Sequence, residues 1–213
     1  MSCRRLSQNV CRFAVIAAAV GLFLFVGRAG RVRAAAPVGL SAPEFTLTDT
    51  AGAGHSLSQY KGKYVVIEWT NFGCPFVRKF YESGHMQTLQ EKYTRRDVVW
   101  LTICSSAPGT FGYLAGAELT RAVAHAKLNA TAFLIDSDGA VGRLYGAKAT
   151  PQIFVIDPSG VTIYAGGIDS KPTLDSADIT GATSYVARAL DAALAGEDIR
   201  QPTGPIYGCA IKY

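Results

Sequence analysis

One junction between a predicted strand and a predicted helix limits what this chain can fold into. Residues 64–69 are rich in β-branched and aromatic side chains and predict a buried strand. A short turn follows, and Cys74 and Pro75 come next. Proline is favoured at the first position of a helix, where its missing N–H is no loss. The sequence therefore predicts that Cys74 lies at the N-terminus of a helix.

This position predicts a reactive thiol. The first N–H groups of a helix are unpaired and the positive end of the helix dipole lies there, so a negative charge on Cys74 is favoured. The thiolate is the form of cysteine that attacks disulfides and peroxides. The junction therefore indicates cysteine redox chemistry.

The first 34 residues differ in composition from the rest of the chain. Arg4, Arg5 and Arg12 precede an apolar core of 14 residues, 13–26, and small residues follow. This layout is typical of a secretory signal peptide, and the core is short for a bilayer span. We expect residues 1–34 to be cleaved and the protein to be exported, either periplasmic or secreted. An uncleaved membrane anchor is the alternative.

The positive charge of the chain belongs to this leader. The formal net charge is +5, but six of the 21 basic residues and no acidic residue fall in residues 1–34. The remainder carries 15 basic and 16 acidic residues. We therefore expect no nucleic-acid partner, and contact with a membrane only through the leader if it is not cleaved.

The cysteine count of the mature chain is odd. The chain has five cysteines, and cleavage of the leader leaves Cys74, Cys104 and Cys209. An odd number in an exported protein argues against a pure disulfide framework and for a reactive thiol. The spacing matches no zinc motif, so we expect no metal and no organic cofactor.

Strands and helices alternate along residues 37–195, which predicts an α/β fold. The predicted strands cover 44–49, 64–69, 98–103, 133–135, 153–156 and 161–165, and the predicted helices cover 75–93, 118–128, 140–145 and 184–194. Ligand chemistry in such folds gathers at the carboxyl ends of parallel strands. Cys74 and Cys104 each follow such an end, so we expect them at one rim if the strands are neighbours.

Four short motifs resemble those of the thioredoxin-like redoxin superfamily. In chain order they are Ala42-Pro43-Glu44-Phe45, Cys74-Pro75, Thr150-Pro151 and Tyr207-Gly208-Cys209. More narrowly, the chain resembles exported peroxiredoxin-like proteins of the AhpC/TSA type that are allied to the TlpA/ResA group. The resemblance implies a thioredoxin-like fold over residues 37–195, with a central mixed β-sheet flanked by helices. It also implies an N-terminal extension and a cysteine-bearing C-terminal tail, residues 196–213.

The resemblance implies roles for several residues. Cys74 matches the nucleophile, and Thr150-Pro151 resembles a cis-proline loop that faces this cysteine and binds extended polypeptide. Pro75 follows the cysteine and Trp69 lies five residues before it, and both are further candidate substrate contacts. For Trp69, packing is the more common role of a tryptophan at such a place.

Glu68 lies six residues before Cys74, at the offset where thioredoxins place a buried carboxylate that accepts a proton. Burial would raise its pKa toward the working range. The alternative is a glutamate that points to solvent or pairs with a nearby lysine.

The chain departs from the dithiol pattern of this superfamily, because Val77 stands where a CxxC motif has its second cysteine. The resemblance leaves Cys209, on a tail that folds back over the site, as the favoured resolving thiol. Cys104 is the alternative, and a third possibility is that Cys74 has no internal partner.

The chain also departs from the peroxiredoxin pattern PxxxTxxC. Ile67 and Asn71 stand at the proline and threonine positions, and Pro151 fills the position of the arginine that assists the leaving oxygen. Asn71 is expected to donate a hydrogen bond in place of the threonine. Disulfide exchange with an external thiol reductant is therefore the favoured function. A thiol peroxidase and a redox-silent polypeptide-binding module are the alternatives.

Overall fold

The computed structural model describes residues 36–213, so the predicted signal peptide lies outside the described residues. The strands are β1 (Thr46–Asp49), β2 (Gly54–Ser56), β3 (Val65–Trp69), β4 (Val99–Cys104), β5 (Ala132–Ile135), β6 (Ala149–Thr150), β7 (Gln152–Ile156), β8 (Thr162–Gly166) and β9 (Cys209–Ala210). The helices are α1 (Pro75–Glu82), α2 (His85–Thr94), α3 (Gly116–Ala126), α4 (Ala140–Tyr145) and α5 (Tyr185–Ala195). No helix within these residues is long and apolar enough to cross a bilayer.

A mixed sheet of seven strands forms the centre of the described domain, in the order β2-β1-β5-β4-β3-β7-β8. Strands β3, β4 and β5 are parallel to one another, and β7 pairs with β3 and β8 in antiparallel fashion. The parallel β3–β4 pair places the starts of the following loops at one edge of the sheet. The sequence prediction of a central mixed sheet flanked by helices is therefore confirmed.

Strand β3 is buried on both faces because alternate side chains serve two apolar clusters. Val66 packs with residues of α1, α2 and α5, whereas Val65, Ile67 and Trp69 pack on the opposite face with residues of α4. Side chains along a strand point alternately to the two faces of a sheet. Glu68 shares the face of Val66, so its carboxylate lies on the same side of the sheet as α1.

The prediction of a single helix over residues 75–93 is wrong, because the chain breaks between α1 and α2. Gly84 adopts a left-handed backbone conformation with φ 75°, which ends a right-handed helix and which glycine adopts at little cost. The side-chain amide of Gln87 donates to the carbonyl of Tyr81, at 3.0 Å. The break therefore leaves that carbonyl paired.

The C-terminal tail contains a strand that the sequence analysis did not predict. Residues Cys209–Ala210 form strand β9, which pairs with β6 in antiparallel fashion. Thr150, the last residue of β6, lies opposite Cys209. The tail therefore returns to the strand that precedes Pro151.

Candidate active site

The loop between β3 and α1 presents Cys74 through hydrogen bonds of its own. The Asn71 side-chain oxygen accepts from the N–H of Gly73 at 2.8 Å, and its main-chain carbonyl accepts from the N–H of Cys74 at 2.8 Å. Cys74 is the N-cap of α1 and Pro75 is its first residue, which confirms the predicted helix start. The Asn71 amide donates to the carbonyl of Phe111 at 3.1 Å. Asn71 thus fixes the loop that carries the cysteine.

The sulfur of Cys74 is enclosed. Cys74 has 0% of its surface exposed, and its thiol donates a hydrogen bond to the carbonyl of Thr150 at 3.2 Å. The peptide bond between Thr150 and Pro151 is cis, which confirms that conformation at the predicted loop. The predicted nucleophile and the predicted cis-proline loop therefore meet at one point.

Cys209 lies beside Cys74. Cys209 lies opposite Thr150 in the β6–β9 pairing, and the carbonyl of Thr150 accepts from the Cys74 thiol, so both cysteines meet at Thr150. Burial raises the pKa of Cys209 to about 12, and the neighbouring Cys74 sulfur adds to this rise, whereas the Phe76 N–H opposes it. The tail therefore brings a second, protonated thiol to the start of α1.

Cys104 lies in a different environment at the end of β4. Its half-buried thiol contacts Ser106, and burial raises its pKa, with a smaller contribution from the charge of Asp136. Within the part of the chain that the structure describes, Cys209 is the cysteine that neighbours Cys74, whereas Cys104 neighbours Ser106 and Asp136. All three cysteines are free thiols in this structure.

Glu68 is fully buried, as the proton-acceptor interpretation requires, and its carboxylate accepts four hydrogen bonds. The donors are Tyr81 at 2.7 Å, Trp100 at 2.8 Å, Gln90 at 3.1 Å and Thr102 at 3.3 Å. Burial raises the pKa of Glu68 above its usual range, and the four donors oppose that rise. Because Tyr81 belongs to α1, this network attaches the helix that carries Cys74 to the central sheet.

The raised pKa of Glu68 makes a prediction about stability. The folded state holds the proton more tightly than the unfolded state, so stability falls as pH rises from the unfolded value through the folded pKa. We expect the free energy of unfolding of wild type minus that of Glu68→Gln to decrease over this pH range. The decrease is about 1.4 kcal/mol for each unit of pKa shift.

Urea denaturation at several pH values measures this difference. Glu118→Gln, at an exposed position in α3, is the matched control and is expected to change the pH dependence much less. A difference between wild type and Glu68→Gln that stays constant or increases with pH contradicts the prediction.

The four predicted substrate contacts differ in accessibility. Pro75 is exposed beside the buried Cys74, whereas Thr150 and Pro151 are buried. Trp69 is also fully buried, and its indole N–H donates to the hydroxyl of Ser105 at 3.0 Å. Trp69 therefore packs in the core and presents no surface to a substrate.

Sequence reasoning missed the side chains that hold the tail. The hydroxyl of Tyr207 donates to Asp169, and its ring packs edge-on against Phe76 with centroids 5.7 Å apart. Asp169 is buried, and so is Lys79, whose ammonium group donates to the carbonyl of Lys171 at 3.0 Å. The signal that points to this contact is a tyrosine two residues before the tail cysteine.

The described residues contain no group of three or more His, Cys, Asp or Glu side chains that could hold a metal ion. The chemistry available at this site is that of two adjacent thiols at a helix start. The N-terminal end of α1 and the Thr150 carbonyl orient them.

Residues 38–165 match the model of the AhpC/TSA family. The chain belongs to the AhpC/TSA family. Curated relatives include the thiol-disulfide oxidoreductase ResA of Bacillus cereus, 26% identical over 76% of this chain and 88% of that protein. The thiol-disulfide oxidoreductase ResA of Geobacillus kaustophilus is 27% identical over 74% of this chain and 84% of that protein.

Solved structures share the fold of this AhpC/TSA chain. A conserved protein of Geobacillus kaustophilus has a TM-score of 0.71 at 24% identity, over 84% of this chain and 93% of that one. The thioredoxin domain of a thiol-disulfide oxidoreductase of Bacteroides vulgatus has a TM-score of 0.50 at 21% identity, over 61% of this chain and 87% of that one. These similarities confirm the thioredoxin-like fold.

Proposed function

We propose that this protein is a thiol–disulfide oxidoreductase in which Cys74 and Cys209 form the redox pair. The observation that carries the proposal is that Thr150 pairs with Cys209 in the β6–β9 ladder and accepts a hydrogen bond from the Cys74 thiol, which brings both cysteines to the start of α1. The similarity to relatives named thiol-disulfide oxidoreductase ResA supports the same reaction class.

The reaction takes place in two exchange steps. The Cys74 thiolate attacks one sulfur of a substrate disulfide, which forms a mixed disulfide and releases the first substrate thiolate. That thiolate takes the proton of Cys209, and the Cys209 sulfur then attacks Cys74 and releases the second substrate sulfur as a thiolate, which takes a proton from the solvent. The substrate has gained two electrons and the cysteine pair has lost two. An external thiol reductant returns the pair to the dithiol.

The surroundings of the two sulfurs support different roles for them. Cys74 is the N-cap of α1, where a negative charge is favoured. The raised pKa of Cys209 keeps its proton in place until a leaving thiolate arrives. Glu68 contacts Tyr81 on α1, and in this proposal it is the alternative acceptor, besides the leaving thiolate, for the proton of Cys209.

Peptide mapping of the oxidised protein tests the pairing. After oxidation with a stoichiometric disulfide and alkylation of the remaining thiols, we expect a peptide pair that joins Cys74 to Cys209. Cys104 is expected to carry the alkyl group. Recovery of Cys74 joined to Cys104, or of Cys74 alkylated with no internal partner, contradicts the proposed pair.

A thiol peroxidase is the second candidate, and membership of the AhpC/TSA family favours it. In that reaction Cys74 is oxidised by a hydroperoxide to sulfenic acid, and Cys209 condenses with it to form the disulfide and water. The Asn71 amide that would assist a peroxide already donates to Phe111. Disulfide exchange is therefore the better-supported function, and assays with a disulfide and with hydrogen peroxide separate the two.

Export is part of the proposal, and the composition of residues 1–34 supports it. A basic segment, a short apolar core and small residues before Pro37 fit a cleaved signal peptide. The proposed redox pair is suited to the periplasm or to the outside of the cell, where disulfides form and persist.

A further inference from the structure

The last twelve residues of the chain, 202–213, lie against the domain along their whole length and are called the docked tail below. They begin beside β8, where the N–H of Ala165 donates to the carbonyl of Pro202 at 3.1 Å. They then pair with β6 through Cys209 and Ala210. Beyond this pairing, the N–H of Ala107 donates to the carbonyl of Lys212 at 2.8 Å. Main-chain hydrogen bonds therefore hold the docked tail at three separate places.

Tyr213 anchors the end of the docked tail. Its hydroxyl donates to the carbonyl of Ala147 at 2.6 Å, and the guanidinium of Arg143 lies 5.1 Å from the centre of its ring. The ring passes over Gly142, where an added Cβ would lie 2.5 Å from Cε1 of Tyr213. Only a residue without a side chain leaves room for the ring at this point.

Two further glycines make room for the docked tail. A Cβ on Gly167 would overlap the carbonyl oxygen of Pro205. A Cβ on Gly208 would overlap the carbonyl oxygen of Thr150, and Gly208 has a φ of 128° that side-chain-bearing residues rarely adopt. The body of the protein and the docked tail thus fit each other closely on both sides of Cys209.

The docked tail covers the strand edge that the sequence analysis assigned to extended polypeptide. The backbone of β6 is already paired with β9, and Thr150 and Pro151 are buried. A polypeptide that adds to this edge must displace a segment of the same chain, which competes at a high effective concentration. For a small molecule to reach Cys74, only the Cys209 end of the β6–β9 pairing has to separate.

We propose that the docked tail restricts the redox pair to low-molecular-weight disulfides, with Tyr213 as the residue that positions it. This inference rests on the proposed function and specifies its substrate class. The step is the exchange already described: the small disulfide receives two electrons and leaves as two thiols, and the Cys74–Cys209 disulfide forms. Polypeptide disulfides are excluded because their main chain competes with β9 for β6.

Two disulfide substrates and one variant test the restriction. Bis(2-hydroxyethyl) disulfide is the small substrate and insulin is the polypeptide substrate, each assayed with the full chain and a dithiol reductant. For wild type we expect kcat/KM for the small disulfide to exceed that for insulin by at least about tenfold. Tyr213→Ala is expected to increase the insulin value at least about fivefold and to change the small-disulfide value by less than about threefold.

Tyr64→Ala is the matched control, because the Tyr64 hydroxyl also donates to a main-chain carbonyl, that of Ala193 at 2.9 Å, on helix α5, which packs on β7 and β8. It is expected to leave the ratio of the two kcat/KM values unchanged. Gly142→Ala displaces the Tyr213 ring by overlap and is expected to act like Tyr213→Ala.

Three outcomes overturn the inference. One is a wild type that reduces both substrates equally well. The second is a Tyr213→Ala protein in which the ratio of the two kcat/KM values does not change. The third is an equal loss of both activities in that variant. This loss would mean that the docked tail is needed for catalysis and does not select the substrate. If wild type reduces neither substrate, the proposed function itself is wrong, and the substrate restriction falls with it.

Discussion

Replacement of Cys74 with serine is expected to lower kcat/KM for disulfide reduction on the order of 10³-fold or more, because a serine hydroxyl is not ionised near neutral pH and forms no mixed disulfide. The change replaces one sulfur atom by an oxygen atom at a fully buried position. The serine hydroxyl retains the ability to donate to the carbonyl of Thr150, which the Cys74 thiol contacts at 3.2 Å. The fold is therefore expected to persist while the reaction is lost.

The measurement is the initial rate of small-disulfide reduction at several substrate concentrations, with the melting temperature recorded for each protein. Cys104→Ser is the matched control, since it makes the same replacement at another free cysteine, which lies at the end of β4. Its rate is expected to stay within about twofold of wild type. Equal losses in the two variants, or full activity of Cys74→Ser, would rule out Cys74 as the nucleophile.

The position of Cys74 was predictable because it depends on local chemistry. An apolar β-branched run, a turn and a proline predict a strand followed by a helix start, and the structure has β3 and α1 in that order. The cis bond before Pro151 was predictable only through the resemblance to the redoxin superfamily. Nothing in the dipeptide Thr150-Pro151 alone distinguishes a cis bond from a trans bond.

The break between α1 and α2 was missed because Ser83 and Gly84 occur within a pattern that is otherwise helical. A glycine in a helix interior costs about 1 kcal/mol relative to alanine and is often tolerated. Here the left-handed conformation of Gly84 ends α1 close to Tyr81, which donates to the buried carboxylate of Glu68. The choice between a kinked helix and two helices depends on packing that no local pattern records.

The docked tail was the least predictable part, because its contacts join residues far apart in sequence. Tyr213 meets Gly142, and Gly208 meets Thr150, with no local signal for either pairing. The sequence analysis predicted a cysteine-bearing tail over residues 196–213 but assigned it no strand. The one usable signal was the motif Tyr207-Gly208-Cys209, which the resemblance identified. In the structure, the hydroxyl of Tyr207 donates to Asp169.

The docked tail both covers the edge of β6 and carries Cys209, so these two effects are linked. The pairing with Thr150 that covers the strand edge also holds the proposed resolving thiol, Cys209, near Cys74. Any movement that admits a substrate therefore also moves Cys209 away from Cys74. Resolution then requires the tail to return, so the attack of Cys209 follows the release of the first substrate thiol.

Replacement of Cys209 with serine is accordingly expected to stop the reaction after its first step. Cys74 still attacks the substrate, but no thiol on the tail is present to resolve the mixed disulfide. A thiol held in place reacts far faster than a free thiol at millimolar concentration. We expect turnover with a small disulfide to fall about 10²-fold, with the remainder due to direct attack by the external reductant.

Intact-mass measurement identifies the stalled species. After one equivalent of bis(2-hydroxyethyl) disulfide, the Cys209→Ser protein is expected to gain the mass of one half of the disulfide on Cys74, stable in the absence of reductant. Wild type and Cys104→Ser are expected to lose two hydrogens and to gain no adduct, because Cys209 has displaced the substrate thiol. An adduct that accumulates in Cys104→Ser but not in Cys209→Ser would make Cys104 the resolving thiol. Adducts in all three proteins would mean that Cys74 reacts without an internal partner.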